Sequence, residues 1–387
     1  MLRRHLRRFL FTILAATVLV ACGGSDEEAE PTTTEPEATV DDSTGGERTD
    51  ESVDADAVDT PAPDQPGPYA VGRRTEQVVD ANRDDRALTV EVWYPAADAG
   101  ETTPYELLPG VTFTSDLSTV DAPPSGDGPF PLVVFSHGSG GLRQQSTSIV
   151  ETIASHGFVV VAPDHAGNTA IDQLLGTETE RDITARNRVL DTRFLIDVVE
   201  ADGLASELAD ADRVAVMGHS FGGYTALAVA GGAGDLPPDP RVDAIVPLAP
   251  ASGLLPDDSL AAIEVPMLIV TGSEDETTPV DDQSTRPLEL AGGPATFVEI
   301  EGGGHAVVTN ICDIIDAVSG ADADLPPGAV DAARSQAGST CDPDAEVDVE
   351  DAFDITEHYS VSFLRQHLAD DERYADPDEI EGATIRS

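Results

Sequence analysis

The residues most able to do chemistry sit in one short run, Gly218-His219-Ser220-Phe221-Gly222-Gly223. The apolar run Val214 to Met217 precedes it, and an alanine-rich stretch with helical spacing follows. A G-x-S-x-G pentapeptide between a buried strand and a helix forces its serine into a strained, exposed turn. Side chains at 218 and 222 would collide with the neighbouring strand and helix, so glycine is required there. A serine hydroxyl is inert at neutral pH without a base, and the base needs a carboxylate to fix its tautomer. Ser220 is thus the candidate nucleophile for acyl transfer. The positive end of the following helix would lie beneath the developing oxyanion.

In this arrangement the acid and the base follow the serine in chain order. Asp275 is the candidate acid, in the loop Gly272-Ser273-Glu274-Asp275-Glu276-Thr277-Thr278-Pro279 that follows the apolar run Met267 to Thr271. Of eight histidines, His305 alone follows a final strand, on the loop Gly302-Gly303-Gly304. It is the candidate base. An oxyanion needs two backbone N–H donors. Phe221, next after the nucleophile, supplies one. The loop His137-Gly138-Ser139-Gly140-Gly141 supplies the other, with Ser139 preferred and Gly138 or Gly140 as alternatives. No metal or cofactor is needed for this chemistry, and neither Cys312 nor Cys341 lies in a Cys/His cluster that would bind metal.

The elements that must hold these residues read as an α/β fold. Leu88 to Tyr94 alternates strictly and suits an antiparallel edge strand. Leu132 to Ser136, Phe158 to Ala162, Val214 to Met217, Ala244 to Leu248 and Met267 to Thr271 are continuous apolar runs of the kind found in buried parallel strands, and Phe297 to Ile300 closes the series. Helices are predicted over 143–156, 185–201, 221–231, 282–291 and 354–369, with loops near 95–130 and 232–241. Residues 318–350 read as an irregular insertion.

The stretches VVFSHGSGGLR (133–143), ASHGFVVVAPDH (154–165) and GHSFGG (218–223) resemble the α/β-hydrolase group that includes the platelet-activating-factor acetylhydrolases, the cutinase-type bacterial polyester hydrolases and the dienelactone-hydrolase-like proteins. The resemblance spans about residues 69–310. It implies an α/β-hydrolase fold, a mostly parallel central sheet flanked by helices, and an oxyanion hole of Ser139 and Phe221. In the acetylhydrolases the acid ends the strand after the nucleophile helix, where this chain has Leu248-Ala249-Pro250. The loop TGSEDETTPV is instead similar to the acid loop of the polyester hydrolases. Dienelactone hydrolases use a cysteine where Ser220 stands. The implied activity is serine ester hydrolysis of small-molecule or lipid- and polyester-like esters. The alternatives are a lipase or amidase with 318–350 as a lid, and a lipid-anchored binding protein with a silent site.

Composition frames the rest. Residues 1–22 read as a secretory signal, with four arginines before an apolar run, Phe9 to Ala21, too short to span a bilayer comfortably. Leu19-Val20-Ala21-Cys22 looks like a bacterial lipobox. Lipidation of Cys22 would place the protein outside the cytoplasm, anchored to the bacterial cell membrane. Cys312 and Cys341 would then remain as a disulfide pair, worth roughly 3 kcal/mol for the loop it closes. Residues 23–68 hold fifteen acids and one arginine and read as a disordered linker, extended by its own charge. The catalytic domain is predicted over 69–375, with 376–387 as a tail. The chain carries 73 acids and 21 basic residues, all arginine, for a net charge of −52. Such a surface excludes nucleic acid as a partner and favours a self-repelling monomer.

Overall fold

A computed structural model describes residues 61–201, 203–321 and 328–386. The expected signal, the lipidation site Cys22 and most of the expected linker lie outside them.

Among the described residues twelve strands form in chain order: β1 Ala70–Asp80, β2 Arg86–Ala96, β3 Tyr105–Leu108, β4 Val111–Phe113, β5 Ser118–Val120, β6 Phe130–Ser136, β7 Val159–Pro163, β8 Ala209–His219, β9 Val242–Leu248, β10 Met267–Gly272, β11 Ala295–Ile300 and β12 Ala383–Arg386. Ten of them make one sheet, ordered β12-β11-β10-β9-β8-β6-β7-β2-β1-β5. The run from β11 to β7 is parallel. β2 and β12 add antiparallel strands on either side. In each parallel strand the apolar run is buried on both faces, because helices cover both.

The helices that matter here are α1 Thr147–Ser155, α2 Ala170–Leu175, α3 Arg181–Glu200, α4 Phe221–Gly231, α5 Asp257–Ala261, α6 Val280–Gln283, α7 Thr285–Leu290, α8 Ile311–Gly320, α9 Ala329–Ala337 and α10 Val349–Leu368. One core layer packs α3 and α4 on the sheet through Val189, Leu195, Leu227 and Val229. The opposite layer packs α1 and α10 through Ile149, Ile153, Ile355 and Leu364. Every residue of α4 is buried. This is the place for an alanine-rich helix, since small side chains let it lie close to the sheet. Among the described residues, no helix is long and apolar enough to cross a membrane.

Several expectations are corrected. The stretch 95–130, expected as loop, contains the β3–β4 hairpin and β5. The buried carboxylate of Glu151 holds it, accepting hydrogen bonds from the Tyr105 and Ser115 hydroxyls, from Ser118 Oγ and from the Leu117 N–H at 2.9 Å. Contacts with the catalytic unit begin before residue 69: Gly67 N–H donates to Ser155 Oγ at 2.7 Å, and a Cβ at Gly67 would meet the Ser155 carbonyl at 2.3 Å. The expected tail supplies β12, which pairs with β11 as the sheet's last strand. The insertion is not irregular in its described parts, because α8 runs to Gly320 and α9 follows. Cys312 and Cys341 are bonded, joining α8 to the chain just beyond α9.

Candidate active site

The carboxyl ends of β6, β8, β10 and β11 carry every residue singled out for chemistry, which is where ligands sit in open parallel sheets. β8 ends at His219, and Ser220 adopts φ 58°, ψ −111° before α4 begins. A non-glycine residue in that region stores strain. The turn is locked from both sides: Ser220 N–H donates to Leu248 O at 2.8 Å, and its own carbonyl accepts from Ala251 N–H at 3.0 Å. Leu248-Ala249-Pro250, which lacks a carboxylate, therefore clamps the serine turn. A Cβ at Gly222 would stand 1.7 Å from Ser136 O, and one at Gly218 2.5 Å from the same oxygen. Those contacts are why β6 and β8 can run side by side into the turn.

His305 Nε2 lies 2.9 Å from Ser220 Oγ, and its Nδ1 lies 2.7 Å from Asp275 Oδ2. Asp275 is 4% exposed. Its other oxygen accepts two backbone N–H bonds, from Thr277 at 2.9 Å and Thr278 at 2.7 Å, and the Thr278 hydroxyl donates to Oδ2 at 2.7 Å. Burial pushes this carboxyl up, but the hydrogen bonds from His305 and Thr278 outweigh it and hold the group below the usual carboxylate range. It is thus a carboxylate at neutral pH, able only to accept, so His305 donates to it through Nδ1 and turns Nε2 toward Ser220. Glu274 and Glu276, its neighbours, lie along the cleft instead. Thr278 was missed in the sequence. Its signal was the Asp-x-x-Thr spacing, since aspartate commonly caps the backbone two or three residues on.

The glycine-rich loop after β6 sorts its own donors. Gly138 N–H is taken by Gln145 Oε1 at 2.7 Å, Gly140 N–H by Asn168 O at 3.2 Å and Gly141 N–H by Gly138 O at 3.2 Å. Ser139 N–H has no partner among the described residues, and neither does Phe221 N–H at the first position of α4. Gly138 and Gly140, the alternatives to Ser139, are therefore occupied.

Arg188 on α3 holds that loop from beneath. It is fully buried and donates to His137 O at 2.6 Å, to Gly138 O at 2.9 Å and to Asn168 Oδ1 at 2.7 Å, and its guanidinium carbon sits 4.8 Å from the centre of the Phe221 ring. Burial lowers its pKa to about 9, which leaves it cationic at neutral pH. One turn on, Asp191 binds Arg86 through both oxygens, at 2.7 and 2.8 Å, and accepts a hydrogen bond from His165 Nδ1 at 3.0 Å. A second chain crosses the site. His219 Nε2 donates to His305 O at 2.8 Å, Gln145 Nε2 donates to His219 Nδ1 at 2.6 Å, and Gln145 Oε1 accepts from Gly138. The histidine loop and the glycine-rich loop are thus joined through the residue next to Ser220.

These inner histidines are neutral. Burial, then the charge of Arg188, pulls His165 down to about 4 and His137 well below the ordinary value; burial, then His305, pulls His219 down to about 3. Their folded values lie below the unfolded one, so as pH falls the unfolded chain binds protons the folded chain refuses. The stabilising contribution is full above about pH 6.5 and is lost down through about 4 and about 3. Scanning calorimetry is expected to show Tm lower at pH 5 than at pH 7 by on the order of 10 °C. A flat Tm over that range would contradict neutral, buried histidines.

Beside His305 opens a cleft of about 460 Å3, with Glu274, Glu276, Asp344 and Glu346 along its walls. Among the described residues, no group of His, Cys, Asp and Glu could hold a metal ion.

The parallel sheet, the serine turn at the end of β8, and the acid and histidine on later loops give this chain the architecture of an α/β-hydrolase fold. The sequence profile of the Chlorophyllase family matches residues 115–264. Cutinase est1 of Thermobifida alba is 33% identical over 155 residues, which are 40% of this chain and 46% of that protein. The platelet-activating factor acetylhydrolase of Canis lupus familiaris is 29% identical over 138 residues, covering 25% of this chain and 31% of that protein. Among solved structures, the ferulic acid esterase from Streptomyces cinnamoneus superposes with a TM-score of 0.64 at 26% identity, covering 83% of this chain and 97% of the other. The matches to the two Thermobifida alba cutinases span about half of those proteins' length.

Proposed function

We propose that the protein is a serine carboxylic ester hydrolase working through an acyl-enzyme. The observation that carries this is the unbroken relay from Asp275 Oδ2 to His305 Nδ1 at 2.7 Å and from His305 Nε2 to Ser220 Oγ at 2.9 Å. His305 takes the Ser220 proton as the hydroxyl attacks the ester carbonyl, and the oxygen becomes an oxyanion facing the free N–H groups of Ser139 and Phe221. The tetrahedral intermediate collapses, His305 returns the proton to the leaving alcohol, and the acyl group stays on Ser220. Water then repeats the sequence and releases the acid. The names of the relatives, cutinases, an acetylhydrolase and a ferulic acid esterase, support ester bonds as the target. The carboxylates along the cleft favour neutral esters over anionic ones.

The proposed organisation is a signal over residues 1–22, a lipid on Cys22, an acidic tether, and a catalytic unit that acts outside the cytoplasm as a monomer. The lid reading of 318–350 has less support, because α9 is held to the glycine-rich loop by Gln336 and the chain just beyond it is held to α8 by the disulfide. A panel of p-nitrophenyl esters and matching anilides tests the reaction class: esters are expected to turn over and anilides far more slowly. Preferential anilide hydrolysis would make the protein an amidase, and turnover of neither would leave a binding protein.

Arg188 acts on this reaction from a distance. Replacing it with methionine removes the donors to two buried carbonyls of the oxyanion loop, each costing about 1–3 kcal/mol when left unpaired. Arg188→Met is expected to lower Tm and to cut kcat by about 10²-fold, the scale of one oxyanion donor lost, with KM little changed. Unchanged kcat in a folded variant would show that the loop holds its shape without the guanidinium.

A further inference from the structure

A second cavity lies behind the glycine-rich loop, among α2, α8, α9 and the β3–β4 hairpin, with a volume of about 80 Å3. Leu107, Ile171, Leu174, Ile314, Val318 and Ala332 line it. Most of these are only half-buried, so the apolar surface they keep faces the cavity. The backbone of Gly140 and Gly141, directly after Ser139, forms one wall. Gln336 lines both this cavity and the cleft beside His305. It donates to Gly140 O at 3.2 Å and stands 3.4 Å from Gln173 Oε1. Its exposed side chain stands where the two spaces meet.

We propose that this cavity receives the acyl chain of the substrate and makes the enzyme selective for short aliphatic acyl groups. The inference rests on the serine-esterase reading above. With the carbonyl oxygen held by Ser139 and Phe221, the acyl carbon chain departs along the glycine-rich loop, and an apolar chain entering past Gln336 meets the aliphatic side chains of α2, α8 and α9. One water needs roughly 10–15 Å3 of such volume, so the cavity holds on the order of six water-sized groups and suits an acyl chain of about four to six carbons. Longer chains exceed it, and acetate leaves it unfilled.

The test is kcat/KM for p-nitrophenyl esters from acetate to dodecanoate, measured on the unsubstituted protein and two variants. The optimum is expected at butanoate to hexanoate. Ala332→Phe fills the cavity and is expected to lower the hexanoate-to-acetate ratio by about tenfold or more, while Leu174→Ala enlarges it and moves the optimum toward longer chains. Shifts in opposite directions cannot both come from damaged folding. Ratios that stay within about twofold of the parent in both variants, or a parent optimum at acetate or dodecanoate, would overturn the cavity's role. Failure of the underlying reading looks different: no ester turns over and a fluorophosphonate leaves Ser220 unmodified in the parent.

Discussion

Ser220→Ala is expected to reduce ester turnover by about 10⁶-fold in kcat, leaving the weak residual catalysis that an oxyanion hole and binding provide alone. The size of the effect follows from the serine supplying the bond-forming oxygen, for which no neighbouring group substitutes. Ser220 Oγ is the hydroxyl 2.9 Å from His305 Nε2, whereas the Ser139 hydroxyl is held by Asn168 at 3.3 Å. The substitution also relaxes little of the fold, because the strained turn is fixed by backbone bonds to Leu248 and Ala251 that alanine keeps. A circular dichroism spectrum and Tm close to the parent are therefore expected alongside the lost activity. A folded variant that kept more than a few per cent of parent turnover would place the nucleophile elsewhere.

Asp275→Asn is expected to cost about 10⁴-fold in kcat, by choosing the wrong histidine tautomer. The direction is set by the loop itself. The backbone N–H groups of Thr277 and Thr278 both donate to one oxygen of Asp275, at 2.9 and 2.7 Å, and can be satisfied only by an oxygen there. The asparagine NH2 must then take the Oδ2 position, 2.7 Å from His305 Nδ1. An NH2 facing Nδ1 requires the ring to carry its proton on Nε2, toward Ser220, where it cannot accept the serine proton. KM is expected to change little, since the carboxylate is 4% exposed and out of reach of substrate. A loss below about tenfold would mean that Asp275 does not orient the base.

The serine turn was legible in the sequence because its backbone conformation tolerates only glycine at fixed offsets, and a pentapeptide therefore carries three-dimensional information. The acid was legible by position, since loops at the carboxyl ends of adjacent parallel strands must meet. Asp275 was preferred to its neighbours Glu274 and Glu276 through the likeness of the loop to that of the polyester hydrolases, and the structure buries the middle one. The network under the oxyanion loop was not found, because Arg188 reaches residues some fifty positions earlier and nothing local marks such a partner. One trace existed: Thr184, Arg188, Asp191 and Leu195 share one face of α3 at helical spacing, so charged residues fall within its buried stripe. The hairpin Tyr105–Phe113 was lost for a similar reason, since its order comes from Glu151 on another element. The strand β12 lies beyond a polar stretch and has only four residues, too few for a periodic signal.

The central claim is that Ser220 alone among the chain's hydroxyls is activated, and covalent labelling with a fluorophosphonate tests it most directly. Intact-mass spectrometry followed by peptide mapping is expected to show one adduct per chain, on Ser220, with labelling lost in His305→Ala. An adduct on another residue, or ester hydrolysis that continues while Ser220 stays unmodified, would contradict the account.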